Sequence, residues 1–92
     1  PLAAQEHPEI VAWPNPVSQT LNIRLRTPEP AKTTLVLRAL NGRVLREVWI
    51  GKTVPAGDYS TEINVENLPS GMYFLQLSGE NARQITKIFI TD

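Results

Sequence analysis

LPSGMYFLQL, residues 68–77, is the stretch that predicts the fold of this chain. Pro69, Ser70 and Gly71 favour a turn, because proline fixes φ, serine bonds to the local backbone and glycine permits positive φ. Residues 72–77 follow that turn and are apolar or aromatic except for Gln76. An apolar run this short, bounded by turn residues, predicts a strand buried on both faces within a small all-β domain.

Strand patterns also occur on both sides of this stretch, at residues 10–13, 19–26, 32–40, 43–50, 59–65 and 83–90. In the second of these, Leu21, Ile23 and Leu25 alternate with polar residues, which is typical of an antiparallel strand that buries one face. No segment is interpreted as a repeat, and none has the spacing of an amphipathic helix. We therefore predict a seven-stranded antiparallel immunoglobulin-like β-sandwich.

The segments between the strands contain turn residues. Asn41-Gly42 predicts a type I′ hairpin, which requires positive φ at both of these residues. Pro14-Asn15-Pro16 is expected to leave the sheet, because proline has no amide hydrogen to donate to a ladder. Residues 51–58 contain proline and glycine and are expected to form a loop.

The length and composition allow one domain. A chain of 92 residues is expected to bury ~60–65% of its unfolded surface. It contains no cysteine, which excludes disulfides, thiolate nucleophiles and zinc–thiolate sites. No apolar run reaches the ~18–20 residues that span a bilayer, so no transmembrane segment is predicted. Because the chain begins with Pro1 and its single methionine is Met72, we expect a piece of a longer precursor, with residues 1–9 as a linker and residues 10–92 as the domain.

The formal net charge is zero, but the charges are unevenly distributed along the chain. Residues 24–52 contain seven basic and two acidic groups, a net charge of +5, and the remainder has a net charge of −5. Such asymmetry can steer association with an anionic partner, or the arginines can simply occupy solvent-facing strand positions. Since the whole chain is neutral, nucleic-acid binding is not predicted.

Residue types that support catalysis are sparse. His7 is the single histidine, and it lies in the expected linker rather than beside a serine that it could activate. Glu62 and Glu66 form the nearest pair of carboxylates downstream of Asp58, on a strand face and in the turn after it, where solvated carboxylates are usual. We therefore predict no enzyme activity, no cofactor and no metal site.

Aromatic residues can stack on sugars or bases, but here each alternates with apolar neighbours. We expect core packing for Trp13, Trp49, Tyr59 and Tyr73. The alternative is an immunoglobulin-like accessory module that binds glycan or a protein partner beside a catalytic domain. A flat row of exposed rings would favour that alternative.

Three motifs, taken in order, resemble the C-terminal sorting domain of type IX secretion cargo in Bacteroidota. They are WPNPVSQTLNIRL (13–25), LRALNGRVLRE (37–47), and LPSGMYFLQL (68–77) followed by KIFI (87–90). The order and spacing match across residues 11–91. The positions that carry the motifs are Pro14, Asn15, Pro16, Gly42, Leu68, Pro69, Ser70, Gly71 and Tyr73. Two departures are Trp13, where tyrosine is commoner, and the ending Thr91-Asp92, where many members finish on lysine.

The resemblance implies that this domain is an export signal and not an enzyme. In that family the domain directs cargo across the outer membrane through translocon and shuttle proteins. A sortase-like cysteine peptidase then removes the domain and commonly joins the cargo to an anionic lipopolysaccharide. The implied location runs from the periplasm to the outer membrane and the cell surface or extracellular space.

Two regions are expected to be recognised. The peptidase is expected to cut in the linker, around Ala4, Gln5 and Glu6. The translocon is expected to recognise the terminal strand, at Lys87, Ile88, Phe89 and Ile90. Alternation places one apolar pair of this strand opposite Ile88 and Ile90, where it is available for docking or strand addition unless the sandwich covers both sides. Deleting residues 88–92 is then expected to abolish export from a domain that still folds.

The remaining motif positions have two interpretations. Residues 14–16 and 68–71 have a sufficient backbone role as turns, which is one interpretation. The other is direct contact with the export machinery.

Overall fold

The computed structural model of the chain describes residues 9–79 and 83–91, which form seven β-strands in two antiparallel sheets. Sheet A has the strand order β1-β2-β5, and sheet B has the order β4-β3-β6-β7. The described part of the chain contains no helix. The strands are β1 (Glu9–Trp13), β2 (Thr20–Thr27), β3 (Ala31–Ala39), β4 (Val44–Val54), β5 (Gly57–Asn64), β6 (Gly71–Ser78) and β7 (Arg83–Ile90). The predicted all-β sandwich is confirmed.

The core lies between the two sheets and is built from the inward positions of five strands and from two connecting segments. Alternation in β2 buries Leu21, Ile23 and Leu25, as predicted. Each fully buried side chain of this size contributes ~1.5–3 kcal/mol relative to exposure. The other buried members of the core are Val17, Leu35, Leu37, Ile63, Val65, Tyr73, Leu75, Leu77, Ile88 and Ile90.

Strand β6 buries one face, so the prediction that both its faces are buried was wrong. Tyr73, Leu75 and Leu77 point into the core, whereas the alternate positions 72, 74 and 76 are only half-buried. The reason is the layer arrangement. Strand β6 lies between β3 and β7 in a two-layer sandwich, so only one face of its sheet meets the other sheet.

The hairpin between β3 and β4 also differs from the prediction. Gly42 has φ of 89°, but no non-glycine residue in the described chain has positive φ, so Asn41 does not adopt the type I′ conformation. Instead, the Gly42 amide donates to the Ala39 carbonyl at 2.9 Å, and the Asn41 side-chain oxygen accepts from the Arg43 amide at 3.0 Å. The Ala39 amide also donates to the Arg43 carbonyl at 2.9 Å, so residues 40–42 form a three-residue loop that ends in a glycine with positive φ, the next commonest solution for hairpins.

The predicted loop at residues 51–58 is much shorter in the structure. Strand β4 continues to Val54, which pairs with Ala31, and β5 begins at Gly57, which pairs with Thr27. Two residues remain between the strands. Backbone pairing does not require apolar side chains, and β4 is an edge strand where polar residues are usual.

Candidate functional site: the last strand and the segment that holds it

Strand β7 lies at the edge of sheet B and has one buried and one exposed face. Ile88 and Ile90 are buried in the core, at 0% and 2% exposure. On the opposite face Ile85 is 55% exposed and Phe89 is 45% exposed. The predicted sidedness of the terminal strand is therefore confirmed, and an apolar pair is available at the surface.

The outer edge of β7 is held by the segment that contains Pro14-Asn15-Pro16, whose two X–Pro bonds are cis. The Asn15 side chain donates to the Lys87 carbonyl at 2.9 Å and accepts from the Phe89 amide at 2.8 Å. Val17 continues the contact: its amide donates to the Phe89 carbonyl at 2.8 Å, and its carbonyl accepts from the Thr91 amide at 2.8 Å. The first and last sequence motifs thus meet, although they are 72 residues apart.

This contact changes the expected mode of recognition. The outward backbone groups of Phe89 already bond to Asn15 and Val17, so a foreign strand cannot pair there without displacing that segment. The burial of Ile88 and Ile90 also argues against the expectation that the domain still folds after deletion of residues 88–92. Because that deletion removes two core isoleucines, the shortened domain would lose several kcal/mol and not remain a folded control.

The outward face of sheet B, which we name the outer face, surrounds the exposed side of β7. Residues that lie directly opposite one another in antiparallel strands share a face. The register therefore places three rows of side chains on the outer face: Glu47, Val36, Gln76 and Ile85; then Val44, Arg38, Phe74 and Lys87; then Met72 and Phe89. Within the first row Val36 is itself buried, at 3% exposure. The Arg38 guanidinium donates to the Gln76 side chain at 2.8 Å and to the Gly42 carbonyl at 2.7 Å.

The turn before β6 is shaped by backbone requirements. Gly71 has φ of 150°, which L side chains rarely adopt. Tyr73 donates its hydroxyl hydrogen bond to the Pro69 carbonyl, which ties the strand to its own turn. These contacts explain why Pro69, Gly71 and Tyr73 occur together without invoking a partner.

The same five-residue pattern occurs at the start of β5, a repeat that the sequence analysis overlooked. Pro55, Gly57 and Tyr59 have the spacing of Pro69, Gly71 and Tyr73. Gly57 has φ of 140°, and Tyr59 donates to the Pro55 carbonyl at 2.5 Å. A search for the spacing proline, any, glycine, any, tyrosine would have found both strand starts.

A comparison with family models identifies the family to which this chain belongs. A family model described as the secretion system C-terminal sorting domain matches residues 11–91. The chain belongs to this family. Its members are the C-terminal sorting signals of type IX secretion, so the domain serves export across the outer membrane to the surface or the extracellular space. A search of curated proteins found no match.

The sorting-domain family is not a catalytic one. Residues 9–79 and 83–91 hold no group of three or more histidine, aspartate or glutamate side chains that could bind a metal ion. None of their elements is a helix that could cross a membrane. Glu62 and Glu66 are both exposed, as expected for solvated carboxylates.

The aromatic residues of the sorting domain follow the core prediction with one exception. Tyr73 is buried, and Trp49 and Tyr59 pack half-buried against the core, where the Trp49 indole donates to the Thr33 hydroxyl at 2.9 Å. The prediction for Trp13 was wrong, since 43% of its accessible surface is exposed. In β1 the even positions face inward, so position 13 points outward. One exposed ring among these four is not the row that a glycan-binding module would present.

The remaining predicted site residues divide between core, surface and the undescribed segment. Of the four terminal-strand positions, Ile88 and Ile90 are buried, and Lys87 and Phe89 are exposed. Pro14, Pro16 and Ser70 are exposed, and Leu68 is half-buried with its amide bonded to the Val65 carbonyl at 3.1 Å. The processing region at Ala4, Gln5 and Glu6, together with His7, lies outside the described residues.

Proposed function

We propose that this sorting domain directs an attached cargo protein through the type IX translocon and is then removed by a sortase-like cysteine peptidase. The peptidase joins the cargo to an anionic lipopolysaccharide at the cell surface. The domain acts as a ligand for translocon and shuttle proteins and as a substrate for the peptidase, and it needs no cofactor. Family membership over residues 11–91 is the observation that carries the proposal.

Within the terminal motif, the side chains divide into two roles. Lys87 and Phe89 are exposed and can contact a translocon or shuttle protein directly. Ile88 and Ile90 anchor the strand in the core, and therefore fix the position of the exposed pair. Recognition thus depends on the folded domain.

The proposed cut lies before β1, in the region of Ala4, Gln5 and Glu6. Glu9 pairs with Arg26 in the β1–β2 ladder, so a cut within β1 would have to open the sheet first. Mass spectrometry of the mature cargo tests this proposal. A cargo C-terminus before position 9 is expected, and a C-terminus well after Val11 would contradict it.

An export assay tests the function itself. Residues 1–92 are fused to the C-terminus of a periplasm-directed fluorescent protein and expressed in strains with and without a working type IX translocon. We expect surface or medium fluorescence that requires the translocon, with loss of a fragment slightly smaller than the 10.3 kDa of residues 1–92. Fluorescence confined to the periplasm of both strains would contradict the proposal.

A further inference from the structure

We propose that the outer face of sheet B is the surface on which the sorting domain docks to a protein of the export machinery. This inference rests on the function proposed above and deepens it, because it extends recognition from the terminal motif to β3 and β6. The partner surface that fits is apolar, with a carboxylate between two apolar side chains. The following observations support this choice.

On the outer face, β7 carries two exposed apolar side chains with a lysine between them. Ile85, Lys87 and Phe89 are alternate residues of β7, so neighbouring side chains are separated by roughly 7 Å. Met72 and Phe74, on the adjacent strand, are half-buried and extend the apolar area beside them. Single exposed apolar residues are normal, but a contiguous set on one face marks an interaction surface.

The register places two cations, Arg38 and Lys87, on the outer face together with one carboxylate, Glu47 of β4, so these three groups leave a net positive charge. The Arg38 guanidinium donates to two neutral oxygens, the side-chain oxygen of Gln76 and the carbonyl of Gly42. The Lys87 ammonium has no side-chain partner among residues 9–79 and 83–91. The two cations lie on either side of Phe74 in the middle row. A carboxylate on the partner would therefore find an unpaired ammonium, which favours both correct orientation and fast association.

The structure favours docking on the face over pairing at the strand edge. Asn15 and Val17 occupy the outer edge of β7 from Lys87 to Thr91. The same four hydrogen bonds fix the backbone that carries Lys87 and Phe89, so little ordering is required when a partner binds. The edge is protected and the face is pre-organised.

The face suits a protein better than a lipid surface. Membrane-binding elements insert contiguous apolar side chains ~5–10 Å into the boundary between headgroups and acyl chains. Here a lysine separates the two exposed apolar side chains of β7, and the apolar residues on the outer side of β6 are half-buried within the sheet surface. A mixed apolar and charged face of this kind resembles a non-obligate protein–protein interface, which as a whole is only about as apolar as the rest of a protein surface.

Matched substitutions in the fluorescent fusion of residues 1–92 test the inference. Ile85→Ser is paired with Val11→Ser on sheet A, because both side chains are β-branched and 55% exposed. Lys87→Glu is paired with Arg24→Glu, which reverses a charge at an outward position of β2. Met72→Gln tests the β6 part of the face with a side chain of similar length. Melting temperatures of all variants report whether the fold survives.

We expect translocon-dependent export to fall roughly tenfold or more for the three outer-face variants and to stay within about twofold for the two controls. Melting temperatures within a few degrees of the parent confirm that folding is not the cause. Unchanged export of the outer-face variants, or an equal fall in the controls, overturns the docking face while leaving the sorting function intact. Failure of the parent fusion to be exported overturns the sorting function first.

A vesicle experiment distinguishes the lipid alternative. The 92-residue domain is mixed with vesicles of phosphatidylglycerol and phosphatidylcholine, and flotation is measured. We expect no flotation of the parent. Flotation that is lost in Ile85→Ser would overturn a protein partner in favour of a membrane surface.

Discussion

At the residue scale, two tyrosines perform the same local task in different surroundings. Tyr73 and Tyr59 each donate to the carbonyl of the proline four positions earlier. Tyr73 is buried, whereas Tyr59 is only half-buried. In addition, the Pro55 carbonyl accepts a second hydrogen bond from the Thr27 hydroxyl at 3.1 Å. The two tyrosines therefore allow the same hydrogen bond to be compared at a buried and at a half-buried position.

We expect Tyr73→Phe to lower the free energy of unfolding by about 1–2 kcal/mol, because a hydrogen bond in a partly buried site is lost. Tyr59→Phe is expected to cost less than about 1 kcal/mol, since Thr27 and water still satisfy the Pro55 carbonyl. Urea unfolding of both variants measures the difference. Equal losses, or a larger loss at position 59, would show that burial does not decide the value of this contact.

At the same scale, Gly71 shows how a family motif can arise from backbone geometry. Its φ of 150° strains any L side chain, although a Cβ there would meet no atom within 4 Å. The cost of a side chain at this position is therefore conformational and not steric. The backbone interpretation of residues 68–71 is sufficient, and contact with a partner is not required to explain the motif.

At the element scale, the contact between residues 15–17 and β7 determines what the terminal strand can present. The strand supplies both core isoleucines and exposed recognition residues, so its deletion cannot separate folding from recognition. A substitution in residues 15–17 can separate folding from recognition, because it leaves every residue of β7 in place.

We expect Asn15→Ala to lower the free energy of unfolding by about 1–3 kcal/mol, since two hydrogen bonds are lost at about 0.5–1.5 kcal/mol each. Hydrogen exchange at the Phe89 amide should accelerate more than exchange in the middle of β6. Asn41→Ala, which removes one local contact with the Arg43 amide, is the matched control and is expected to cost less. Unchanged protection of the Phe89 amide in Asn15→Ala would contradict the proposed role of this segment.

At the scale of the whole molecule, the question is whether export requires the folded sandwich or only a linear signal. Leu75 is fully buried in β6 and contributes nothing to the surface. Domains of this size are stable by roughly 5–15 kcal/mol, so one large cavity removes a substantial part of the total.

We expect Leu75→Ala to cost about 2–5 kcal/mol and to reduce export in proportion to the fraction of domain that remains folded. Denaturant unfolding and the fusion export assay, measured at several temperatures, provide the two quantities. Val11→Ser, at an exposed position of β1, is the control and should change neither. Full export of Leu75→Ala under conditions where the domain is unfolded would indicate recognition of a linear signal.

The amino-acid sequence by itself was sufficient for the existence of the seven strands, the inward positions of the alternating strands and the family. Period-two alternation specified which side of β2, β5 and β7 faces the core, because successive strand residues point to opposite faces. The ordered motifs were sufficient for the sorting function, since several turn and strand residues recur at fixed spacing. Those features depend on residues that are close together in the chain.

Only the tertiary structure decided which motifs meet and which surface stays free. The bonds from Asn15 to Lys87 and Phe89 join positions more than 70 residues apart, and no local pattern encodes such a contact. The exposure of Trp13 and the half-buried outer side of β6 follow from the position of each strand within its sheet. Local sequence determines the orientation of a side chain relative to its own strand, whereas burial depends on what packs against that strand.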